Sequence, residues 1–302
     1  MTTTERRVPT AMLALSALAI GVMAGCRKEP SGNDDGQIGA AVGEMMASLD
    51  ESAQGNVTAD LLPLLPALRI PDALRGSLWH RAALALFPSA EAATCGEAAF
   101  SACSAGIRTR TFSSCSLASV ATLDGSVSLA FTARPLCTLA VAGDAVTRSA
   151  SFSVTGLYGG MLTVTSPGGG QTLTQTAAGF EYKVGGMERT LTGAAGRTLF
   201  DITTRTTTPL AITGSSRADR VIVSGTLEVT HHLAGYGVSL TPDHLAWSAS
   251  CNCATSGRLT GLVSGGARDG KSATVELTGC GEADVTIDGQ TESITLDRCV
   301  AQ

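Results

Sequence analysis

Three kinds of hydrophobic pattern follow one another along this chain. Residues 11–24, AMLALSALAIGVMA, form an apolar run without a charge. Residues 37–53 then repeat apolar side chains at helical spacing. Ile38, Val42, Met45, Met46 and Leu49 share one face, and Asp34 or Asp35 is placed to cap the start. Such a stripe is read as core packing. Pro63, Pro66 and Pro71 break LLPLLPALRIP into a kinked or extended connector. A second helix is expected from Pro71 to Phe87: proline suits a first turn, and Leu74, Leu78, Trp79, Ala82 and Leu86 align.

From about Ala98 the period falls to two. Strand-like runs of roughly five to eight residues follow one another, bounded by Gly, Asp and Asn. Val221/Val223, Leu227/Val229, Val275/Leu277, Val285/Ile287 and Ile294/Leu296 are the alternating apolar positions that give each strand a buried face. Asp124-Gly125, the SPGGGQ stretch at 166–171 and Gly185-Gly186 read as hairpin turns. No stretch between residues 130 and 300 has room for a crossover helix, so parallel βαβ folds are excluded. The expected fold is mainly β: N-terminal helices and then a long antiparallel meander, curled into a sandwich, half-barrel or barrel.

Composition supports that reading. Charged residues are only 16% of the chain, with 35 glycines and long Ser/Thr runs, which suits short strands and tight turns and not disorder. The formal net charge is −5, only Lys28, Lys183 and Lys271 are lysines, and no dense basic cluster occurs. Nucleic-acid binding, which needs a phosphate-neutralising face, is set aside.

The amino terminus adds the sharpest motif. Arg6 and Arg7 precede the apolar run, which is shorter than the roughly 20 residues of a membrane span and fits a signal-peptide core. It ends at Met23-Ala24-Gly25-Cys26, which resembles the lipobox of bacterial type II signal peptides, with Met23 where leucine is commoner. That resemblance covers residues 1–27 only. It implies cleavage before Cys26, a diacylglyceryl group on its thiol, and a membrane partner reached through acyl chains. Each buried methylene contributes about 0.8 kcal/mol. Arg27 in place of Asp implies, by the same resemblance, release to the outer membrane of a diderm envelope. The expected organisation is a signal peptide at 1–25, a lipidated tether at 26–37, a helical segment at 38–94 and a β domain at 95–302.

Eight cysteines remain: Cys95, Cys103, Cys115, Cys137, Cys251, Cys253, Cys280 and Cys299. An even set in an exported chain reads as four disulfides, here in two groups of four. In the second group, consecutive antiparallel strands at 245–250, 258–264, 273–279, 283–288 and 292–298 bring all four thiols to one end of the sheet. Cys251 and Cys253 are too close to pair without strain, so each takes a distant partner from Cys280 and Cys299. His231 and His232 reach the same end if the meander extends back to residue 221. Adjacent strand histidines face opposite ways, however, so disulfides are preferred to a metal site.

No G-x-S-x-G, H-E-x-x-H or phosphate-loop motif occurs, and the four histidines (His80, His231, His232, His244) stand apart from any motif-quality Ser or Asp. Glu228, Glu276 and Asp284 are cross-strand carboxylates read as solvated, and the Thr-rich runs LTVTSPGGGQTLTQT and ITTRTTTPLAIT as ordinary solvent-facing positions. The expectation is therefore a non-enzymatic lipoprotein without cofactor, its β domain structural or protein-binding. The alternative is a carrier or chaperone of an apolar ligand, held between curled sheet and helices.

Overall fold

A computed structural model describes residues 100–117, 121–133, 136–156, 159–214, 217–251, 253–296 and 299. The expected helices at 37–53 and 71–87, Cys26 and Cys95 lie outside the described residues. The described part is a single twelve-stranded sheet whose spatial order follows the chain order. The strands are β1 (Ile107–Leu117), β2 (Ala121–Phe131), β3 (Ala145–Gly156), β4 (Met161–Gln175), β5 (Gly179–Thr192), β6 (Thr198–Thr213), β7 (Val221–His231), β8 (Tyr236–Trp247), β9 (Ala254–Gly265), β10 (Ser272–Gly279), β11 (Glu282–Ile287) and β12 (Gln290–Thr295). Every neighbouring pair is antiparallel, so the expected antiparallel meander is what the structure has.

The strands are longer than their hydrophobic pattern suggests. β4 has 15 residues and β5 has 14, because positions read as turns lie inside strands. Gly125 is mid-β2, paired with Phe152; Pro167 to Gly169 form a bulge within β4; Gly185 and Gly186 lie in β5 against that bulge. The three expected hairpins are therefore bends. Positive φ and a missing Cβ serve a bulge as well as a turn, and local sequence does not distinguish them. The ladder decides.

These irregularities form a line across the sheet. Register shifts occur at Phe112/Cys115, Arg148/Ser151, Thr165/Gly170, Tyr182/Met187, Thr206/Thr208 and Asp243/Ala246, in successive parts of the meander. Gly125, Gly225 and Gly257 lie on it at φ of 118°, 121° and 100°. At Gly225 the close neighbour is the backbone of Pro209 and Leu210, and at Gly257 that of His244 and Leu245. Extra residues bend a strand and raise its twist, so a line of them creases the whole sheet.

Each extra residue can also reverse the alternation. In β8 the buried set runs Val238, Leu240 and then, beyond the bulge, Leu245 and Trp247. In β7 Ile222 is fully buried while Val223 is 42% exposed, which corrects the expected Val221/Val223 pair. The extra residue of β7 at Val223, opposite the Ala211/Ile212 step, shifts the parity before Leu227 and Val229, which are buried as expected, as are Val275, Leu277, Val285, Ile287 and Leu296. Ile294 is partly buried against them. One continuous apolar cluster runs through β1 to β11, with Leu129, Leu162, Leu173, Tyr182, Ile202, Leu210, Ile222 and Leu227 fully enclosed. Burying each such side chain contributes about 1.5–3 kcal/mol.

Candidate functional site

Antiparallel order gives the sheet two ends, and six of the seven described cysteines gather at one, while Cys115 stands near the β1–β2 turn at the other. Cys103 precedes β1 and Cys137 follows β2; their Cα atoms are 6.0 Å apart in a disulfide. Cys251 and Cys253, in the β8–β9 turn, bond Cys280 and Cys299 respectively, at Cα separations of 5.8 Å and 5.2 Å. Each of the adjacent pair takes a distant partner, as the spacing required. Cys251 and Cys253 are fully enclosed. Cys115 is also disulfide-bonded, with its partner outside the described residues. These links tie the β8–β9 turn to the β10–β11 turn and to the chain segment leaving β12.

His231 and His232 lie at the other end. The strand expected to start at residue 245 is the second half of β8, which begins at Tyr236 and bends at His244, at φ 52°. With one fewer reversal, His231 at the end of β7 is a full strand length from Cys251 and Cys253. His231 and His232 do face opposite ways. His231 is buried, accepts a hydrogen bond on Nδ1 from the Ala234 N–H at 3.2 Å, and stacks on Tyr236 at 5.6 Å. His232 is exposed, with Nε2 2.7 Å from Thr203 Oγ1. Among the described residues no three of His, Cys, Asp and Glu gather as metal ligands.

The exposed face is polar and ordered in cross-strand rows. Thr241, Thr260, Thr274, Thr286 and Thr291 are successive partners across β8 to β12, and Thr286 and Thr291 hydroxyls are 2.8 Å apart. Beside them runs Asp243, Arg258, Glu276, Asp284 and Ser293. Asp243 accepts from His244 Nδ1 at 2.9 Å and from Arg258 at 3.0 Å, and these bonds, His244's first, hold its carboxyl below the usual range. Ser293 donates to Asp284 at 2.6 Å. Glu276 and Asp284 are thus direct cross-strand neighbours, whereas Glu228 is gripped by Arg205 through two bonds of 2.8 and 2.9 Å. On exposed faces such pairs order side chains and contribute little stability.

The buried face holds the polar groups that the sequence reading missed. Thr204 and Thr206, in the run read as solvent-facing, point inward. Thr206 Oγ1 accepts from the Val184 N–H at 3.0 Å, replacing a ladder bond lost at the β5 bulge. Arg110, Gln171 and Arg189 are also buried there. Arg110 lies over the Phe112 ring at 5.1 Å, and Arg220, at the cysteine end, over Trp247 at 5.5 Å. The available signal was parity: Arg110 is two residues from Phe112, and Arg189 two from Met187. The bulge between Tyr182 and Met187 hid the second. Comparison of the chain with protein-family models, curated proteins and solved structures finds no match in any of the three.

Proposed function

We propose that this chain is an exported lipoprotein of the cell envelope, held at the outer membrane by acyl groups on Cys26. Its β domain is a non-catalytic structural or binding module, with the polar rows of β8 to β12 as the face offered to a partner protein. The observation that carries the reading is the oxidation state of the β domain. Three disulfides join described cysteines and Cys115 is bonded as well. Such bonds persist outside the reducing cytoplasm, where the signal-peptide pattern of residues 1–25 would deliver the chain. The test is to express the full chain in a diderm bacterium and determine the mass of its amino-terminal peptide from the membrane fraction. A diacylated Cys26 terminus, abolished in Cys26→Ser, is the expected result. A terminus at Met1 with reduced thiols would refute it.

A second reading, a carrier of an apolar ligand beneath a helical lid at 37–87, draws on one observation. Gln171 Oε1 and Thr204 Oγ1 are buried without a hydrogen-bond partner among the described residues, and buried polar atoms of this kind call for one. Native mass spectrometry of the Cys26→Ser chain separates the two readings: a co-purified lipid supports the carrier, and a bare protein mass counts against it.

A further inference from the structure

The two faces of the sheet differ in charge in an unusual sense. Arg108, Arg110, Arg148 and Arg189 all occupy buried-side positions: Arg108 and Arg148 both pair with Leu129, Arg110 with Val127, and Arg189 with Ile202. Within the described strands the one carboxylate on that side is Glu292, opposite Val285 on β12. The acidic residues Asp124, Glu188, Glu228, Glu276 and Asp284 all stand on the other side. A guanidinium enclosed among apolar side chains is tolerated only with an anionic or strongly accepting partner. Arg110, Arg148 and Arg189 are each partnered.

The chain itself contains a matching segment. Between Gln37 and Arg69 there is no lysine or arginine, while Glu44, Asp50, Glu51 and Asp60 carry four carboxylates. The same stretch bears the apolar stripe Ile38, Val42, Met45, Met46 and Leu49. We infer that residues 38–60 dock on the buried face of β1 to β5, with their carboxylates pairing with Arg110, Arg148 and Arg189. An occupant from the same chain is favoured over a free anion because the tether fixes it at high effective concentration. Opposite charge and apolar surface lie on the same segment. The inference deepens the reading that 38–94 lies against the sheet, by naming the side chains that hold it there.

Two measurements on the full-length Cys26→Ser chain test it separately. In the first, a benzophenone amino acid replaces Met46 and is photoactivated. Cross-links within the chain to peptides of β1 to β5 are expected; their absence overturns both the docking and the broader helix-on-sheet reading. In the second, carboxyls are labelled with carbodiimide and glycine amide and followed by peptide mass spectrometry. At least one of Glu44, Asp50, Glu51 and Asp60 is expected to react about tenfold more slowly than Asp34 and Asp35 in the tether, and to lose that protection in Arg110→Gln/Arg189→Gln. This is the reactivity change that about 1.4 kcal/mol of shielding produces. Full reactivity at all four, with the cross-link intact, leaves the packing standing and overturns the arginine pairing. An anionic lipid on the purified chain together with reactive carboxylates would assign the arginines to a ligand, and would overturn it too.

Discussion

Replacing Gly125 by alanine tests whether the crease across the sheet holds the fold together. Gly125 sits at φ 118°, and a Cβ there would lie 2.5 Å from Phe152 Cα and 2.8 Å from Phe152 Cβ, overlapping the Ser151 carbonyl oxygen. The left-handed conformation alone costs an L-residue about 1–2 kcal/mol. The contact is with backbone, so β2 and β3 must part, an overpacking cost of about 1–3 kcal/mol more. The total is about 2–5 kcal/mol. Gly196, in the β5–β6 turn, is the internal control: its φ is 75° but no heavy atom lies within 4 Å of its Cβ position. Gly196→Ala should therefore cost only the conformational part. Urea unfolding of the Cys26→Ser chain with disulfides intact reads both values, as midpoint shifts at constant slope. For a domain of this size each kcal/mol moves the melting temperature by about 2–4 °C. Equal destabilisation by the two substitutions would refute the reasoning, since it would mean the crease has room for a side chain.

Removing the terminal staple, with Cys253→Ser and Cys299→Ser together, opens a loop with a sequence separation of 46. Loop-closure entropy puts the loss at up to about 4 kcal/mol, and a denaturation midpoint unchanged from the parent would argue against any stabilising role. Non-reducing peptide mapping should find Cys115 joined to Cys95, because the other three described pairs are complete; any other partner for Cys115 contradicts pairing within groups of four. Asp243 should titrate below the usual carboxylate range, and its value should rise in His244→Gln and in Arg258→Gln. Because its folded value is lowered, its small contribution to stability is present above the ordinary range and is lost as pH falls through the lowered value. An NMR titration of the side-chain carboxyl that leaves Asp243 unmoved by either substitution would exclude those bonds.

Much of this protein was legible in its residues taken in order. Alternation from Leu227 to Leu296 marked the buried face of β10 and β11 and most of β7, because a side-chain period of two is a local property of extended backbone. The distant partners of Cys251 and Cys253 followed from counting chain reversals, and the opposed faces of His231 and His232 from the same alternation. What required the tertiary structure was the difference between a turn and a bulge. Asp124-Gly125, Pro167 to Gly170 and Gly185-Gly186 are locally indistinguishable from hairpin loops, and only the strand lying alongside decides whether the chain reverses there or bends and continues. From that one ambiguity follow the strand lengths, the inward turn of Ile222 in place of Val223, the burial of Arg189, Thr204 and Thr206, and the placing of His231 at the end of the sheet away from Cys251, Cys253, Cys280 and Cys299. A residue's neighbours along the chain set its conformational range; its neighbours across the sheet choose within it.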